Sequence, residues 1–442
     1  MKRRGVALLP LMLLMLGQWS SLAASGCNEV VDVLQAPQTF AGSGAAGIAA
    51  AFGGAGGSGV GGGAAGTFGG AGAAGSGGAV AAGGAQPANP ALGTLVDSGD
   101  AHSCATRQGI LYCWGSGQDG RLGLGDTADR NLPTRVGFDA DWLAVATAVA
   151  HSCALKTDGS VWCFGASNVG QLGHGSTAAS SVPLRVTLPG PVVQLSSEAN
   201  TVCAVLESGE LWCWGRNWEG NIGLNDTHPG VDQLYPIRSG DQSDWKNVGT
   251  GDGHTCGVRG VGLLFGWGRN TAANLGLGQT IDQQRRSATQ IGTDQDWQSV
   301  VSGQGSSCGL KQDGSLFCWG DNSFGNLGLP DTDQRRVPTP VVMGRVWTKI
   351  AIDTFHGCGI DDGSSLYCWG RGIEGQLGTG ANDAVLGQAL IGSGYAQVAV
   401  GRMFTCAVTS DDRVVCTGEN AAGQLGLGDA LRRNVFTEVP FP

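Results

Sequence analysis

Residues 151–173 read HSCALKTDGSVWCFGASNVGQLG, and this stretch decides the fold. A bulky residue followed by glycine stands near its middle, and the tetrad Gly-Gln-Leu-Gly closes it. Both signatures, the tetrad in variants, occur seven times at spacings of 48 to 53 residues. The glycine of the first signature falls at Gly115, Gly165, Gly215, Gly268, Gly320, Gly370 and Gly418. The chain therefore carries seven repeats, and the repeat must be interpreted before any single element.

Each repeat is predicted to form a small antiparallel sheet. Apolar residues alternate over Ser160 to Phe164, glycines recur every few residues, and there is no helical stripe of useful length. Such a unit cannot bury its apolar face alone, so seven units close most naturally into a ring. Residues 91–442 also exceed the roughly 250 to 300 residues that one ordinary core supports. The sequence predicts an all-β, seven-bladed β-propeller over residues 91–442.

The repeat resembles that of the RCC1 family, the regulator of chromosome condensation. The family order is a His-Ser or His-Thr pair, an Asp-Gly turn, Trp-Gly, Asn, Gly-Gln-Leu-Gly, then Pro before a Val-rich strand. Here the order is reproduced by His151-Ser152-Cys153, Asp158-Gly159, Gly165, Asn168, Gly170 to Gly173, Pro183 and Val186. The resemblance covers residues 92–442. It implies a propeller whose first strand, near 95–105, completes a blade begun by residues 435–439.

The first 90 residues differ in composition from the repeats. Basic residues at 2–4 precede an apolar run over residues 6–16 that is too short to span a bilayer, so residues 1–26 are predicted to be a secretory signal peptide. The segment ends in LAASGC, which resembles the bacterial lipobox with Cys27 as the acylated residue. The alternative is cleavage after Ala23 or Ala24, which leaves Cys27 as a free thiol. Residues 27–90, rich in Gly and Ala, are predicted to be a flexible linker.

Twelve of the remaining cysteines are spaced as facing pairs on hairpins. Between Cys153 and Cys163 a three-residue loop, Thr157 to Gly159, puts the two cysteines opposite each other, with glycine in the left-handed position that the loop requires. The predicted disulfides are Cys104–Cys113, Cys153–Cys163, Cys203–Cys213, Cys308–Cys318, Cys358–Cys368 and Cys406–Cys416. Cys256 is predicted to be unpaired because Gly266 occupies the facing position. The spacing does not fit a zinc site.

No motif of enzyme chemistry stands out in the repeats. There is no Gly-x-Ser-x-Gly, His-Glu-x-x-His or phosphate-binding Gly-rich loop in a suitable context, so no catalytic residue, metal ligand or cofactor is predicted. Four of the six histidines precede the first cysteine position of a repeat, at His102, His151, His254 and His356. A residue that recurs at one position of the repeat is expected to serve packing and hydrogen bonding rather than catalysis.

The predicted function is non-enzymatic binding. A net charge of −10 argues against nucleic-acid partners. The longest segment between motifs, residues 216–244, carries Trp218, His228 and Tyr235, which are predicted to form an interaction surface because Trp and Tyr are frequent at binding hot spots. The alternative is that Trp218 packs on its neighbour.

Three functional hypotheses remain open. The first is an exported, monomeric propeller, either an envelope lipoprotein or secreted, that binds a protein or surface-polymer partner through its loops. The RCC1 resemblance implies a second, guanine-nucleotide exchange on a small GTPase, which requires an intracellular location. A third is a secreted hydrolase or an enzyme inhibitor. The redox state of the cysteines and the location of the chain distinguish the first hypothesis from the second.

Overall fold

The computed structural model describes the backbone of Val31–Asp32 together with residues 92–225, 230–278, 284–341 and 344–442. These residues form strands connected by turns and loops, with one 3-10 helix at Gln118–Gly120. The predicted signal peptide, Cys27 and the predicted linker lie outside the described residues, apart from the strand β1, Val31–Asp32. Within the described residues, no helix has the length and apolar character needed to cross a membrane.

The repeats form seven blades of four strands each. Blade 1 comprises β2 Leu95–Ser98, β3 His102–Arg107, β4 Ile110–Gly115 and β5 Arg130–Arg135, and blade 2 comprises β6 Trp142–Thr147, β7 His151–Lys156, β8 Val161–Gly165 and β9 Ser180–Arg185. Blade 3 comprises β10 Val192–Glu198, β11 Thr201–Leu206, β12 Leu211–Gly215 and β13 Gln233–Arg238, and blade 4 comprises β14 Trp245–Thr250, β15 His254–Arg259, β16 Leu263–Gly268 and β17 Arg285–Gln290. Blade 5 comprises β18 Trp297–Ser302, β19 Ser306–Lys311, β20 Leu316–Gly320 and β21 Arg335–Pro340. Blade 6 comprises β22 Trp347–Ile352, β23 His356–Asp361, β24 Ser365–Gly370 and β25 Val385–Ser393. Blade 7 comprises β26 Tyr395–Val400, β27 Phe404–Thr409, β28 Val414–Gly418 and β29 Arg433–Glu438.

The blades close into a ring, as predicted for a seven-bladed propeller. Within each blade the four strands are antiparallel and lie in chain order. The first strand of every blade contacts the first strands of both neighbouring blades, so these strands line the centre, and β2 meets β26 to complete the circle. The fourth strands are partly exposed and form the rim. The apolar core lies between adjacent blades.

The hairpins between second and third strands have the predicted register. Cys153 faces Cys163, and the three-residue loop ends at Gly159 with φ +77°. In blade 1 a two-residue loop, Gln108-Gly109, has positive φ at both positions and brings Cys104 opposite Cys113. The six predicted pairs have Cα atoms 4.0 to 4.1 Å apart and S–S distances of 2.09 to 2.16 Å. Cys256 is buried opposite Gly266.

The two recurring signatures meet at the interface between blades. The indole Nε1 of Trp214 in blade 3 donates a hydrogen bond to the Gln171 carbonyl in the blade 2 tetrad at 3.0 Å, and its ring lies on the closing glycine of that tetrad. A Cβ on this glycine, Gly173, would lie 2.9 Å from the indole nitrogen. Equivalent bonds of 2.9 to 3.0 Å join Trp114–Gln424, Trp267–Asn221, Trp319–Asn274 and Trp369–Asn326. In five of the seven repeats this donor and acceptor therefore lock consecutive blades, whereas blades 2 and 7 carry Phe164 and Thr417 in place of the tryptophan.

The ring closes without the shared strand that the family resemblance implied. Residues 95–98 belong to a complete blade 1, and residues 433–438 complete blade 7. The propeller strands run from inner strand β2 to rim strand β29, and the four repeat strands of each blade come from one repeat. Side-chain hydrogen bonds instead join blade 7 to blade 1. The Gln397 amide accepts from the Val96 N–H at 2.8 Å and donates to the Val96 carbonyl at 3.0 Å.

Candidate functional site

One face of the propeller brings together two sets of loops. In every blade the residue after the repeat glycine hydrogen-bonds, through its backbone N–H, to the turn that joins the first and second strands. Examples are Arg216 to the Asn200 carbonyl at 2.9 Å and Arg371 to the Phe355 carbonyl at 2.8 Å. The loop after the third strand and this turn therefore lie at the same end of each blade. We call this end the turn face and the opposite end the connection face, because the links between blades lie there.

Aromatic and apolar side chains cluster on the turn face of blades 5 and 6. The rings of Phe324 and Phe355 meet edge to face, with centroids 4.9 Å apart. The Arg371 guanidinium lies 4.7 Å from the centre of the Phe355 ring and pairs with Glu374 at 2.6 Å. Ile373, which lies between Arg371 and Glu374 in the sequence, is 51% exposed. Apolar surface flanked by oriented arginines is typical of protein-binding sites.

A line of ion pairs extends this cluster to blades 3 and 4. The Arg216 guanidinium lies 4.8 Å from the ring centre of Trp218, which is 55% exposed, and pairs with Glu219 and Asp252 at 3.0 Å each. Asp252 also pairs with Arg269 at 3.3 Å. Arg269 in turn donates to the Gln304 carbonyl of blade 5 at 3.0 Å. The turn face thus carries aromatic, apolar and arginine side chains in blades 3, 5 and 6, with the Arg269 ion pair of blade 4 between them. We call the set Trp218, Phe324, Phe355, Ile373, Arg216 and Arg371 the aromatic–arginine surface.

The structure separates the predicted interaction residues. Trp218 lies on the turn face, exposed and stacked on Arg216. Tyr235 lies on rim strand β13, 63% exposed, where its ring packs against Gly175 of blade 2. His228 is outside the described residues. Phe324, Phe355, Ile373 and Arg371 were missed, although aligning the repeats would have shown that the residues after each repeat glycine share a face.

The four repeat histidines link neighbouring blades. Each is fully buried, and its Nε2 lies within hydrogen-bond distance of a hydroxyl in the next blade. The pairs are His102–Ser152 at 2.8 Å, His151–Ser197 at 3.0 Å, His254–Ser307 at 3.0 Å and His356–Thr405 at 2.8 Å. A Ser–His pair is the geometry of an activated nucleophile, but these pairs are closed to substrate. Burial lowers the pKa of each histidine, to about 3 for His151, His254 and His356.

One buried carboxyl group lies beside the turn face. Asp353, in the turn between β22 and β23, is fully buried and receives a 3.0 Å hydrogen bond from Thr354 on Oδ1, while Oδ2 has no partner. Burial, followed by the nearby Asp100 carboxylate, raises the Asp353 pKa to about 8, and Arg402 opposes the shift. Arg402 itself pairs with Asp100 at 3.5 Å. No group of three or more His, Cys, Asp or Glu side chains in the described residues is arranged to hold a metal ion.

Comparison with known proteins agrees with this geometry. Residues 65–391 match the family model of the RCC1-like domain, and residues 395–424 match the regulator of chromosome condensation (RCC1) repeat. The ultraviolet-B receptor UVR8 of Arabidopsis thaliana is 30% identical over 250 residues, which are 55% of this chain and 45% of the receptor. The X-linked retinitis pigmentosa GTPase regulator of Mus musculus is 36% identical over 87 residues, 20% of this chain and 9% of the regulator. The chain spans less than half the length of these curated relatives.

Solved structures show the same fold. Yeast RCC1 (Prp20), in its complex with Kap60, is 23% identical with a TM-score of 0.67, over 75% of this chain and 83% of that one. Human WBSCR16 is 19% identical with a TM-score of 0.68, over 75% of this chain and 94% of that one. The repeat signatures, the seven blades and the family match over residues 65–391 lead to one conclusion. The chain belongs to the RCC1-like domain family.

Proposed function

We propose that this chain is an exported, oxidised, non-enzymatic propeller that binds a protein partner through the aromatic–arginine surface. The observation that carries the proposal is that exposed aromatic side chains lie beside ion-paired arginines on one face of blades 3 to 6. Exposed aromatic side chains supply contact area at low entropic cost, and arginines held by carboxylates are already oriented for a partner. The arginines are neutralised by their acidic neighbours, so we expect a partner surface of mixed charge and apolar character rather than a polyanion.

The cysteines support export. Six pairs face each other on hairpins at S–S bonding distance, and structural disulfides persist in oxidising compartments. The sequence adds a signal-like segment at residues 1–26 and a lipobox-like Cys27. We therefore place the protein outside the cytoplasm, anchored through an acylated Cys27 or secreted after cleavage at Ala23 or Ala24. Among its relatives, yeast RCC1 is recorded in complex with Kap60, which is consistent with a protein-binding role for the fold.

Photo-crosslinking in the native cells tests the binding surface. A photoreactive phenylalanine analogue replaces Phe324 on the turn face, and a matched variant carries it at Phe138. Phe138 is 67% exposed and lies between β5 and β6 on the connection face. We expect a partner to be captured from position 324 and not from position 138. Capture from 138 alone, or from neither position, would refute binding through the turn face.

Binding strength gives a second test once the partner is captured. Trp218→Ala and Phe324→Ala should each weaken binding by about tenfold or more, because buried aromatic anchors dominate interface energies. Tyr235→Ala on the rim serves as the control and should leave binding unchanged. Loss of binding in the Tyr235 variant alone would move the site from the turn face to the rim.

The intact mass of the native protein, with and without reduction, tests export and separates the exchange-factor alternative. We expect a species without residues 1–26 that gains twelve hydrogens on reduction, with acyl mass if Cys27 is the anchor. A cytosolic, full-length species with reduced thiols would overturn export. It would favour a role like that named for the mouse relative, a GTPase regulator.

A further inference from the structure

The inner edge of the blade 3 sheet is paired with a segment from outside the propeller. Strand β1 runs antiparallel to β10, the inner strand of blade 3, with Val31 opposite Leu195 and Asp32 opposite Gln194. It also contacts β6, the inner strand of blade 2. The blade 3 sheet consequently has five strands, whereas the other six sheets have four.

In three other blades the equivalent backbone position is covered by a side-chain amide of the preceding blade. Gln397 binds both the N–H and the carbonyl of Val96. Gln194 likewise accepts from the Val248 N–H at 3.1 Å and donates to the Val248 carbonyl at 2.9 Å. In blade 5, Asn247 accepts from the Val300 N–H at 2.7 Å. These amides occupy the backbone edge of the inner strand, where an additional strand would otherwise pair.

Blade 3 lacks such an amide because Ala144 stands at this position of the preceding blade. The register identifies the position: Ala144 faces Leu155 and Gln194 faces Val205, each two residues after the cysteine of its second strand. Among residues 92–442, the amide contact to the Leu195 carbonyl is a 3.4 Å approach of Gln194 from its own strand. Two residues further along β6 stands Ala146, also small, so both positions leave room beside β10. Ahead of blades 2, 6 and 7 the position of Ala144 is held by Leu95, Ser299 and Lys349, which supply no amide but are larger than alanine.

From this arrangement we infer that the inner edge of β10 is a strand-binding site, and that its ligand is the segment of this chain around Val31–Asp32. Residues 28–35 read NEVVDVLQ, and the β-branched residues in this segment favour an extended strand. Backbone pairing to an open sheet edge supplies the affinity, as in other cases of strand addition. Ala144 is the smallest residue at this position in the seven blades, and the room that it leaves selects blade 3.

The direction of β1 bears on the proposed lipid anchor. Because β10 ends at the turn face and β1 is antiparallel to it, the N-terminal end of β1 points towards the turn face. Cys27 precedes Val31 by four residues, about 14 Å of fully extended chain. The docked strand would replace the 63-residue tether between Cys27 and the propeller by a short one. This consequence rests on the lipid anchor proposed above, whereas the inference of strand binding does not.

Hydrogen exchange of the full-length chain, followed by mass spectrometry, tests the strand site. Val31→Pro removes the N–H that pairs with Leu195, and Ala50→Pro in the Gly/Ala-rich segment is the matched control. We expect exchange in β10 to accelerate by about tenfold in Val31→Pro and to stay unchanged in Ala50→Pro. The β14 peptide around Val248, covered by Gln194, should be unaffected in both. Equal exchange of β10 in the wild type and Val31→Pro would overturn the inference.

A gain of function gives an independent test. Ala144→Gln would supply the amide that covers the backbone in blade 1, and should therefore displace the N-terminal segment while keeping Leu195 protected. Displacement is measured as faster cleavage after Glu29 by a Glu-specific protease under native conditions. Unchanged cleavage in a folded Ala144→Gln protein would count against selection by Ala144. If this variant does not fold, the Val31→Pro experiment still decides the inference. Because neither assay uses a membrane or a partner, their failure is distinguishable from failure of the proposed function.

Discussion

Blade 4 offers a direct test of the hairpin register, because it has one cysteine of the pair. Cys256 and Gly266 face each other as the paired cysteines do elsewhere, with the same sequence separation of 10. Gly266→Cys should therefore form a seventh cross-strand disulfide. A Cβ at position 266 would lie 3.0 Å from Ile291 Cδ1, so a side-chain adjustment of a few tenths of an ångström accommodates it.

The expected gain follows from the size of the closed loop. A loop of about 11 residues removes roughly 9 cal/mol/K of chain entropy from the unfolded state, which is about 3 kcal/mol at 25 °C. For a ring of this size the gain corresponds to an increase of about 4 °C in the unfolding midpoint. The contact with Ile291 subtracts from it, so the reference is Gly266→Ala, which introduces the same Cβ without the sulfur.

Two measurements decide the outcome. The intact mass of Gly266→Cys should show a loss of two hydrogens on oxidation in addition to those lost by the six native pairs. Scanning calorimetry should place the unfolding midpoint of oxidised Gly266→Cys above that of Gly266→Ala. The midpoint difference should vanish when the variant is Cys256→Ser/Gly266→Cys, which cannot form the bond. If both thiols at 256 and 266 are alkylated when the air-oxidised protein is unfolded without reductant, the register reasoning is wrong.

Further expected outcomes concern the blade interfaces and two buried groups. Trp214→Phe introduces the residue that blade 2 carries at the equivalent position, Phe164, so an aromatic ring is retained. The substitution removes the N–H that donates to the Gln171 carbonyl. Urea unfolding should therefore show a loss of about 1 to 3 kcal/mol, while Trp218→Phe shows none. The raised Asp353 pKa of about 8 means that ionisation of this group on unfolding releases a proton between about pH 4 and pH 8. Asp353 therefore contributes a downward slope to stability as pH rises through this window, against the upward slope from the buried histidines below about pH 6.5. Asp353→Asn should remove that slope and be the more stable protein at pH 8, measured by urea midpoints across the range. Burial raises the Cys256 pKa to about 11, so iodoacetamide at pH 8 should label this thiol only after unfolding.

The periodic features of the molecule were predictable from the sequence. A glycine that recurs in seven repeats, or a tryptophan that recurs in five, reports a position that the blades share, and the hairpin loop lengths fixed which cysteines face each other. The histidines at 102, 151, 254 and 356 were expected to serve packing for the same reason, and each bonds a hydroxyl of the next blade.

What could not be predicted depends on contacts between repeats or outside them. Gln397 closes the ring because it reaches a backbone 301 residues away, and no local pattern marks that contact. The aromatic–arginine surface combines Trp218 of blade 3 with Phe324 and Phe355 of later repeats, at positions where the other repeats differ. Trp218 and Tyr235 are close in sequence, but the structure puts Trp218 in the loop after β12 and Tyr235 on rim strand β13, where it packs against blade 2. The single valine-rich stretch before the Gly/Ala-rich segment was the available signal for β1.

Closure by side chains makes the seven blades interchangeable as building units. Because no sheet borrows a strand from another repeat, the boundary of each duplicated sequence unit coincides with the boundary of a blade. Circular permutants that join 442 to 92 by a linker and open the chain at another blade connection, such as residues 187–191, would preserve the four repeat strands of every blade. The same property lets a gene gain or lose one blade by duplication or deletion of about fifty codons without rewriting its neighbours, so lineages of this architecture can vary ring size in single steps.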